Sequence, residues 1–196
     1  MSNRWVAVVD YGMGNLRSVL KALLHLGVDA RLTSSSKEIA LASALVVPGV
    51  GAFRDCMENL RRLALDNSIR NAIERGVPYL GICLGLQILF DYSSEFGSTQ
   101  GLGIIEGKVE RFPKMGLKVP HMGWNRVWVV RPNGVFNGIG DGRHFYFVHS
   151  YYVEPMDPVV VAGRTSYGIE FTSCIERENV TACQFHPEKS HDAGLR

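Results

Sequence analysis

The sequence predicts an α/β protein with a central, mostly parallel sheet flanked by helices, extended by an antiparallel, strand-rich second half. Two patterns carry the prediction. Before about residue 100, short valine-rich runs alternate with apolar residues at helical spacing, the signature of strands joined by crossover helices. After it, β-branched and aromatic runs succeed one another with turn residues between them. The chain's 196 residues suffice for one ordinary core, and 46% apolar with 20% charged residues is a globular balance. One domain spanning 1–196 is expected, the change near residue 100 marking an extension of the sheet rather than a boundary.

"WVAVVD" reads as the first strand and "YGMGN" as its turn. Leu16, Val19, Leu20, Leu23, Leu24 and Leu26 follow at helical spacing until Gly27 stops the helix. "VDARLT" is a second strand, and Ser35 with Glu38 three residues later forms a capping box for a short helix. "ALVVPG" is the third strand, residues 54–75 are helical with a break near Asp66 and Asn67, and "GVPYLGI" is the fourth strand. It runs into Cys83, after which "LGLQILF" opens a helix. The later strands are "GIIEGKVERF", "WNRVWVV", "HFYFVHSYYV", "VVVAGRT", "IEFTSCIE" and "VTACQFH", the last two joined through "ERENVT" as a hairpin.

Composition removes several function classes. The net charge of +2 comes from scattered Lys and Arg with no run to track a phosphate backbone, which argues against nucleic acid. Cys56, Cys83, Cys174 and Cys183 are widely spaced without a C-x-x-C pair, so reduced thiols are expected and no structural zinc. The apolar stretch after Arg4 is far too short for a signal peptide or a membrane span, which points to a cytoplasmic protein. In that setting the sequon at Asn179 is expected to mean nothing. "YGMGN" lacks the third glycine of a dinucleotide fingerprint, Arg17 standing in its place, and no cofactor is expected.

The chemistry gathers around Cys83. In "YLGICLGLQI" it lies at a strand-turn-helix junction with Gly81 and Gly85 two residues to either side, the pattern of a nucleophile elbow. β-Carbons at those two positions would crowd so sharp a turn. The following helix N-terminus would favour the thiolate. Taken alone, the motif fits a buried structural cysteine equally well. "QFHPEKS" tips the balance: His186 and Glu188, two apart in an extended segment, fall on one face, and Pro187 stiffens the link. His186 can then exchange a proton with Cys83 while Glu188 holds its tautomer. In "VVPGVGAF", Gly51 could supply a second oxyanion donor beside the Leu84 N–H.

The cysteine elbow, H-P-E and P-G-V-G, with the α/β start and strand-rich second half, resemble the class I (triad) glutamine amidotransferases over nearly the whole chain. Six segments in order, "DYGMGNLRSV", "VVPGVGAF", "GICLGLQ", "PHMGWN", "YFVHSYY" and "QFHPEKS", are similar to the members that feed a separate cyclase. The resemblance implies that Cys83 attacks the side-chain amide of glutamine, that His186 protonates the departing ammonia, and that Glu188 orients His186. It implies an oxyanion hole at Gly51 and Leu84, and glutamine held by Gln87, Glu95, Ser150 and Tyr151. The partner implied is a (βα)8-barrel cyclase subunit. It receives the ammonia and makes imidazole glycerol phosphate and an aminoimidazole carboxamide ribotide, a step of histidine biosynthesis. Trp124, Tyr146 and Lys189 match interface positions, with packing or solvation as their plainer roles; His121 and Met122 share that ambiguity. His149 is read as a packed strand histidine outside the triad. Two alternatives stay open: an amidotransferase serving another synthase, and a non-catalytic regulatory subunit. The family usually continues into a C-terminal helix beyond the point matching Arg196, so either another element covers that face of the sheet or apolar surface is exposed there.

Overall fold

In the computed structural model, which describes residues 4–196, the first valine run forms β1 (Val6–Val9). The glycine-rich turn leads to α1 (Leu16–His25), which ends as expected at Gly27. Gly27 N–H donates to Leu24 O and Val28 N–H to Leu23 O, a Schellman motif that needs the left-handed φ of +77°. β2 (Ala30–Thr33) and α2 (Ser36–Leu41) follow. Ser35 caps α2 by accepting from Glu38 N–H, but the capping box is only half formed: the Glu38 carboxylate accepts from the Thr33 hydroxyl instead of from Ser35 N–H. β3 (Ala44–Gly49) precedes α3 (Phe53–Arg62) and α4 (Leu65–Glu74). The helical break therefore falls at Leu63 and Ala64, not at Asp66 and Asn67; Ala64 adopts φ +54°, and Asp66 sits inside the first turn of α4.

β4 (Tyr79–Cys83) ends on the cysteine, and α5 (Leu84–Gln87) is a single turn. The longer helix expected from "LGLQILF" does not form, because Phe90 is taken into the sheet. The remaining strands are β5 (Phe90–Ser93), β6 (Thr99–Gln100), β7 (Ile105–Arg111), β8 (His121–Val129), β9 (Arg143–His149), β10 (Tyr151–Pro155), β11 (Val161–Tyr167), β12 (Ile169–Arg177) and β13 (Val180–Cys183). "HFYFVHSYYV" thus splits in two at Ser150. A 3-10 turn, Pro187–Lys189, and α6 (His191–Leu195) complete the chain.

The strand order β2-β1-β3-β4-β13 is parallel throughout, and antiparallel pairing carries the same sheet on through β12, β10 and β7. Both faces are covered. Ala7, Val9 and Val47 point to a core shared with Phe53, Leu60 and Ile69 of α3 and α4, while their neighbours Val8 and Val46 join Val19, Phe145, Phe147 and Phe185 on the other side. On that second side an apolar cleft of about 220 Å³ runs between α1, Phe136, Ile139 and residues Ala193 to Leu195 of α6.

The β12–β13 hairpin forms as anticipated, with Arg177 paired to Val180 across a two-residue turn in which Glu178 has φ +52°. Asn179 in that turn has a structural duty: its Nδ2 donates to Ile73 O at 3.0 Å and Val77 O at 2.8 Å, tying the hairpin to the end of α4. Asn179→Ala is expected to lower the unfolding free energy by about 1–3 kcal/mol, since both carbonyls are then left without this partner. Urea denaturation measures this, and no loss would mean that water replaces the amide fully.

Candidate active site

The elbow is built by close packing. Cys83 has φ +55° and ψ −104°, a backbone conformation that an L residue adopts only under constraint. The constraint is visible at the glycines. A β-carbon on Gly85 would collide with the carbonyl of Val47 in β3, and one on Gly81 would meet the carbonyl of Gly85. Gly49, paired with Cys83 across β3 and β4, has no room either, since Tyr11 Oη and Leu84 lie against it. The turn between strand and helix can therefore sit directly on the sheet, with Cys83 at the carboxyl edge of the parallel strands.

β13 pairs in parallel with β4, so the chain leaving it arrives at the same edge. His186 is extended, at φ −102° and ψ 96°, and Pro187 opens the 3-10 turn. Glu188 reaches the imidazole through that turn rather than through strand alternation, and Nδ1 donates to Oε1 at 3.0 Å. Both side chains are 3% exposed. His186 is pinned further by its backbone: N–H donates to Tyr146 O at 2.9 Å, and its carbonyl accepts from Ser190 Oγ at 2.6 Å. Nε2 is buried and makes no hydrogen bond, and Cys83 lies near enough to raise the pKa of the ring. Burial opposes charge on this ring, but Cys83 and Glu188 together outweigh it and push the pKa up to about 9. The ring is thus an imidazolium at neutral pH, electrostatically complementary to a thiolate.

A cavity of about 260 Å³ opens in front of the sulfur, lined by Gly51, Cys83, Leu84, Gln87, Glu95, Ser150 and Tyr151 among others. All seven of these were singled out from sequence. Gly51 has φ +103° and is exposed, with Met13 of the first turn close by. Glu95 accepts from Phe53 N–H at 2.6 Å with one oxygen, docking on the start of α3. Gln87 is buried and its amide nitrogen is already committed, to Tyr151 O at 3.1 Å and Gln184 Oε1 at 3.1 Å, which leaves its oxygen for a ligand. Val50, Pro120, Val148 and His149 complete the wall and were not chosen as site residues. Their apolar or packed character left no signal apart from their position beside chosen ones. Among the described residues no group of three His, Cys, Asp or Glu could hold a metal ion.

Trp124, Tyr146 and Lys189 come together outside this cavity. Trp124 and Tyr146 are opposite each other across β8 and β9, and Lys189 Nζ stands 5.6 Å from the Tyr146 ring centroid. Trp124 also stacks on His191 at 4.9 Å. Met122 projects outward on the same ribbon, whereas His121 and His149 turn inward and are buried. Burial lowers the pKa of His149 to about 3 and of His121 to about 4.

A model of the glutamine amidotransferase class-I family matches residues 7–194. The chain is 53% identical over 192 residues to the imidazole glycerol phosphate synthase subunit HisH of Moorella thermoacetica, an alignment covering 98% of this chain and 91% of that protein. It is 52% identical over 190 residues to the same subunit of Aquifex aeolicus, covering 96% and 91%. Among solved structures, one described as a glutamine amidotransferase superposes with a TM-score of 0.77 at 25% identity, covering 96% of this chain and 94% of the other. PurLQS from Thermotoga maritima shares the fold, with a TM-score of 0.73 at 20% identity over 94% and 88% of the two chains.

Two titrations follow from these environments. His186 is expected to titrate near 9 by NMR and distinctly lower in Cys83→Ala, which removes the neighbour that, together with Glu188, raises it. By linkage, the stability contributed by protonating His186 is complete below the ordinary value of 6.5 and is lost as pH rises through about 9. His121 and His149 act oppositely: between about 6.5 and 4 the unfolded chain takes up protons that the native state refuses. Stability should therefore fall as pH drops through that window, and fall less in a His121→Gln, His149→Gln double variant. Urea unfolding at stepped pH checks this; parallel curves for the two proteins would contradict it.

Proposed function

The chain belongs to the class-I glutamine amidotransferases, and from that membership and the site's geometry we propose that it is the glutaminase subunit of an imidazole glycerol phosphate synthase. The observation that carries the chemistry is the buried His186–Glu188 pair at 3.0 Å, whose free nitrogen faces Cys83 at the mouth of the cavity. Glutamine enters with its amide toward the sulfur. Glu95, Ser150, Tyr151 and the Gln87 oxygen hold its amino and carboxylate groups. Cys83 Sγ attacks the amide carbon, and the oxyanion that forms is met by the N–H groups of Leu84 and Gly51. His186 gives its Nε2 proton to the nitrogen as the C–N bond breaks, releasing ammonia and leaving a glutamyl thioester. Water then attacks the thioester, His186 taking its proton, and glutamate leaves with Cys83 regenerated.

Residues 1–196 act as one amidotransferase domain in this reading. The ammonia passes to a (βα)8-barrel cyclase subunit, for which the Trp124, Tyr146 and Lys189 patch, adjoining His186, is the docking surface. Among the described residues no helix is long and apolar enough to cross a membrane, which is compatible with the cytoplasmic setting of amino-acid biosynthesis. Mixing the chain with such a cyclase, its nucleotide ligand and glutamine is expected to yield glutamate and imidazole glycerol phosphate. Cys83→Ala should lower glutamate formation by at least roughly a thousandfold. An undiminished rate in that variant would overturn the thioester mechanism, and glutamate without cyclised product would point to a different synthase.

A further inference from the structure

A continuous chain of hydrogen bonds, separate from the triad, runs from the β8–β9 ribbon to the sulfur of Cys83. At its outer end Asn125 Oδ1 accepts from Arg126 N–H at 2.8 Å, so Nδ2 must face Ser166 O at 2.9 Å and His121 Nε2 at 3.2 Å. His121 Nε2 is then an acceptor, its proton is on Nδ1, and it donates to His149 Nε2 at 2.9 Å. His149 in turn carries its proton on Nδ1 and donates to the Tyr151 carbonyl at 2.8 Å. That carbonyl also accepts from Gln87 Nε2, whose second N–H donates to Gln184 Oε1 at 3.1 Å. Gln184, fully buried, is left with its amide nitrogen toward Cys83 Sγ at 3.6 Å. Each group finds a complementary partner; flipping an amide would set donor against donor or acceptor against acceptor, and flipping a ring would put carbon where a nitrogen bonds.

We propose that Gln184 is a positioning residue for the nucleophile: its amide N–H holds Cys83 as a hydrogen-bonded thiolate, and Gln87, oriented by the Tyr151 carbonyl, determines which end of the amide faces the sulfur. A thiol is a weak acceptor and a thiolate a strong one, so the bond favours the reactive form selectively. The arrangement also supplies what α5 cannot. A one-turn helix sums too few peptide dipoles to act as the full macrodipole expected from the sequence, and a single aimed donor takes over part of that role. The two histidines bear on it only by holding the Tyr151 carbonyl in place, since that oxygen accepts from Gln87 whatever their tautomers.

The inference rests on Cys83 being the nucleophile of the proposed glutaminase, so its test reads thiol chemistry as well as turnover. In the complex with the cyclase, Gln184→Met removes the donor, and Gln184→Glu keeps the acceptor for Gln87 while placing a carboxylate oxygen at the sulfur. The rate of Cys83 alkylation by iodoacetamide at neutral pH is expected to fall roughly tenfold in the first variant and further in the second. kcat for glutamine should fall in the same order, with KM within about twofold. Unchanged or faster alkylation, or a change confined to KM, would show Gln184 to be packing only. Should both variants fail to fold, the unaltered protein still decides: capping Cys83 should shift one Gln184 side-chain N–H resonance strongly and leave the other nearly in place, and equal small shifts would overturn the proposal. Rapid alkylation of wild-type Cys83 without glutamine hydrolysis would instead sink the glutaminase reading and leave the role of Gln184 standing.

Discussion

Everything at this site depends on the parallel pairing of β3, β4 and β13, because parallel neighbours deliver their carboxyl ends to one edge. The register sets Gly49 beside Cys83, and Ile82 beside Cys183. The P-G-V-G loop therefore leaves the sheet on one side of the nucleophile and the segment carrying Gln184 and His186 leaves on the other. Approach is close enough that Gly49, Gly81 and Gly85 have no space for a side chain. The left-handed backbone at Cys83 costs on the order of 1–3 kcal/mol, held in place by this packing rather than by any preference of cysteine.

The electrostatics of the edge show that residue type does not decide titration. Three buried histidines lie close together, and burial works against charge on each of them. For His121 and His149 burial is the largest influence and no anionic partner offsets it, so their pKa values drop. His186 has a carboxylate on one nitrogen and faces a thiol with the other, and its pKa rises to about 9. The partner determines the direction. One ring is thereby kept ready to give a proton, while two others keep fixed tautomers, within a single cluster of aromatic and polar side chains.

Much of this was legible in the chain. Valine runs, glycine stops and β-branched runs are local signals, and the strands, the Schellman end of α1 and the β12–β13 hairpin follow from them. The proposed triad drew notice from two separate local patterns, Cys83 between glycines and His186 two residues before Glu188. The failures have non-local causes. α5 stops after one turn because β5 is drawn into pairing with β6 and β7, a gain that a window around Cys83 does not contain. Ala64 turns the chain between α3 and α4 without glycine or proline to announce it. Glu188 reaches His186 through a 3-10 turn that Pro187 initiates, where strand alternation had suggested the same contact by another path. Gln184 carried no signal at all, since its role exists only once β13 lies against β4.

Strand β9 joins the outward patch to the pocket side of the sheet. β9 alternates between the two: Tyr146 and Val148 face one way, Phe147 and His149 the other. Its backbone holds His186 through the Tyr146 carbonyl and Ser190 through the Tyr146 N–H, while its inward face carries the histidine that bonds the Tyr151 carbonyl. His186, the pocket wall and the aromatic patch thus hang on one strand. In a core packed as densely as this one, such a strand shifts as a unit or hardly at all. A side chain on its exposed face is therefore only one backbone hydrogen bond away from His186, although no single short stretch of the sequence contains both.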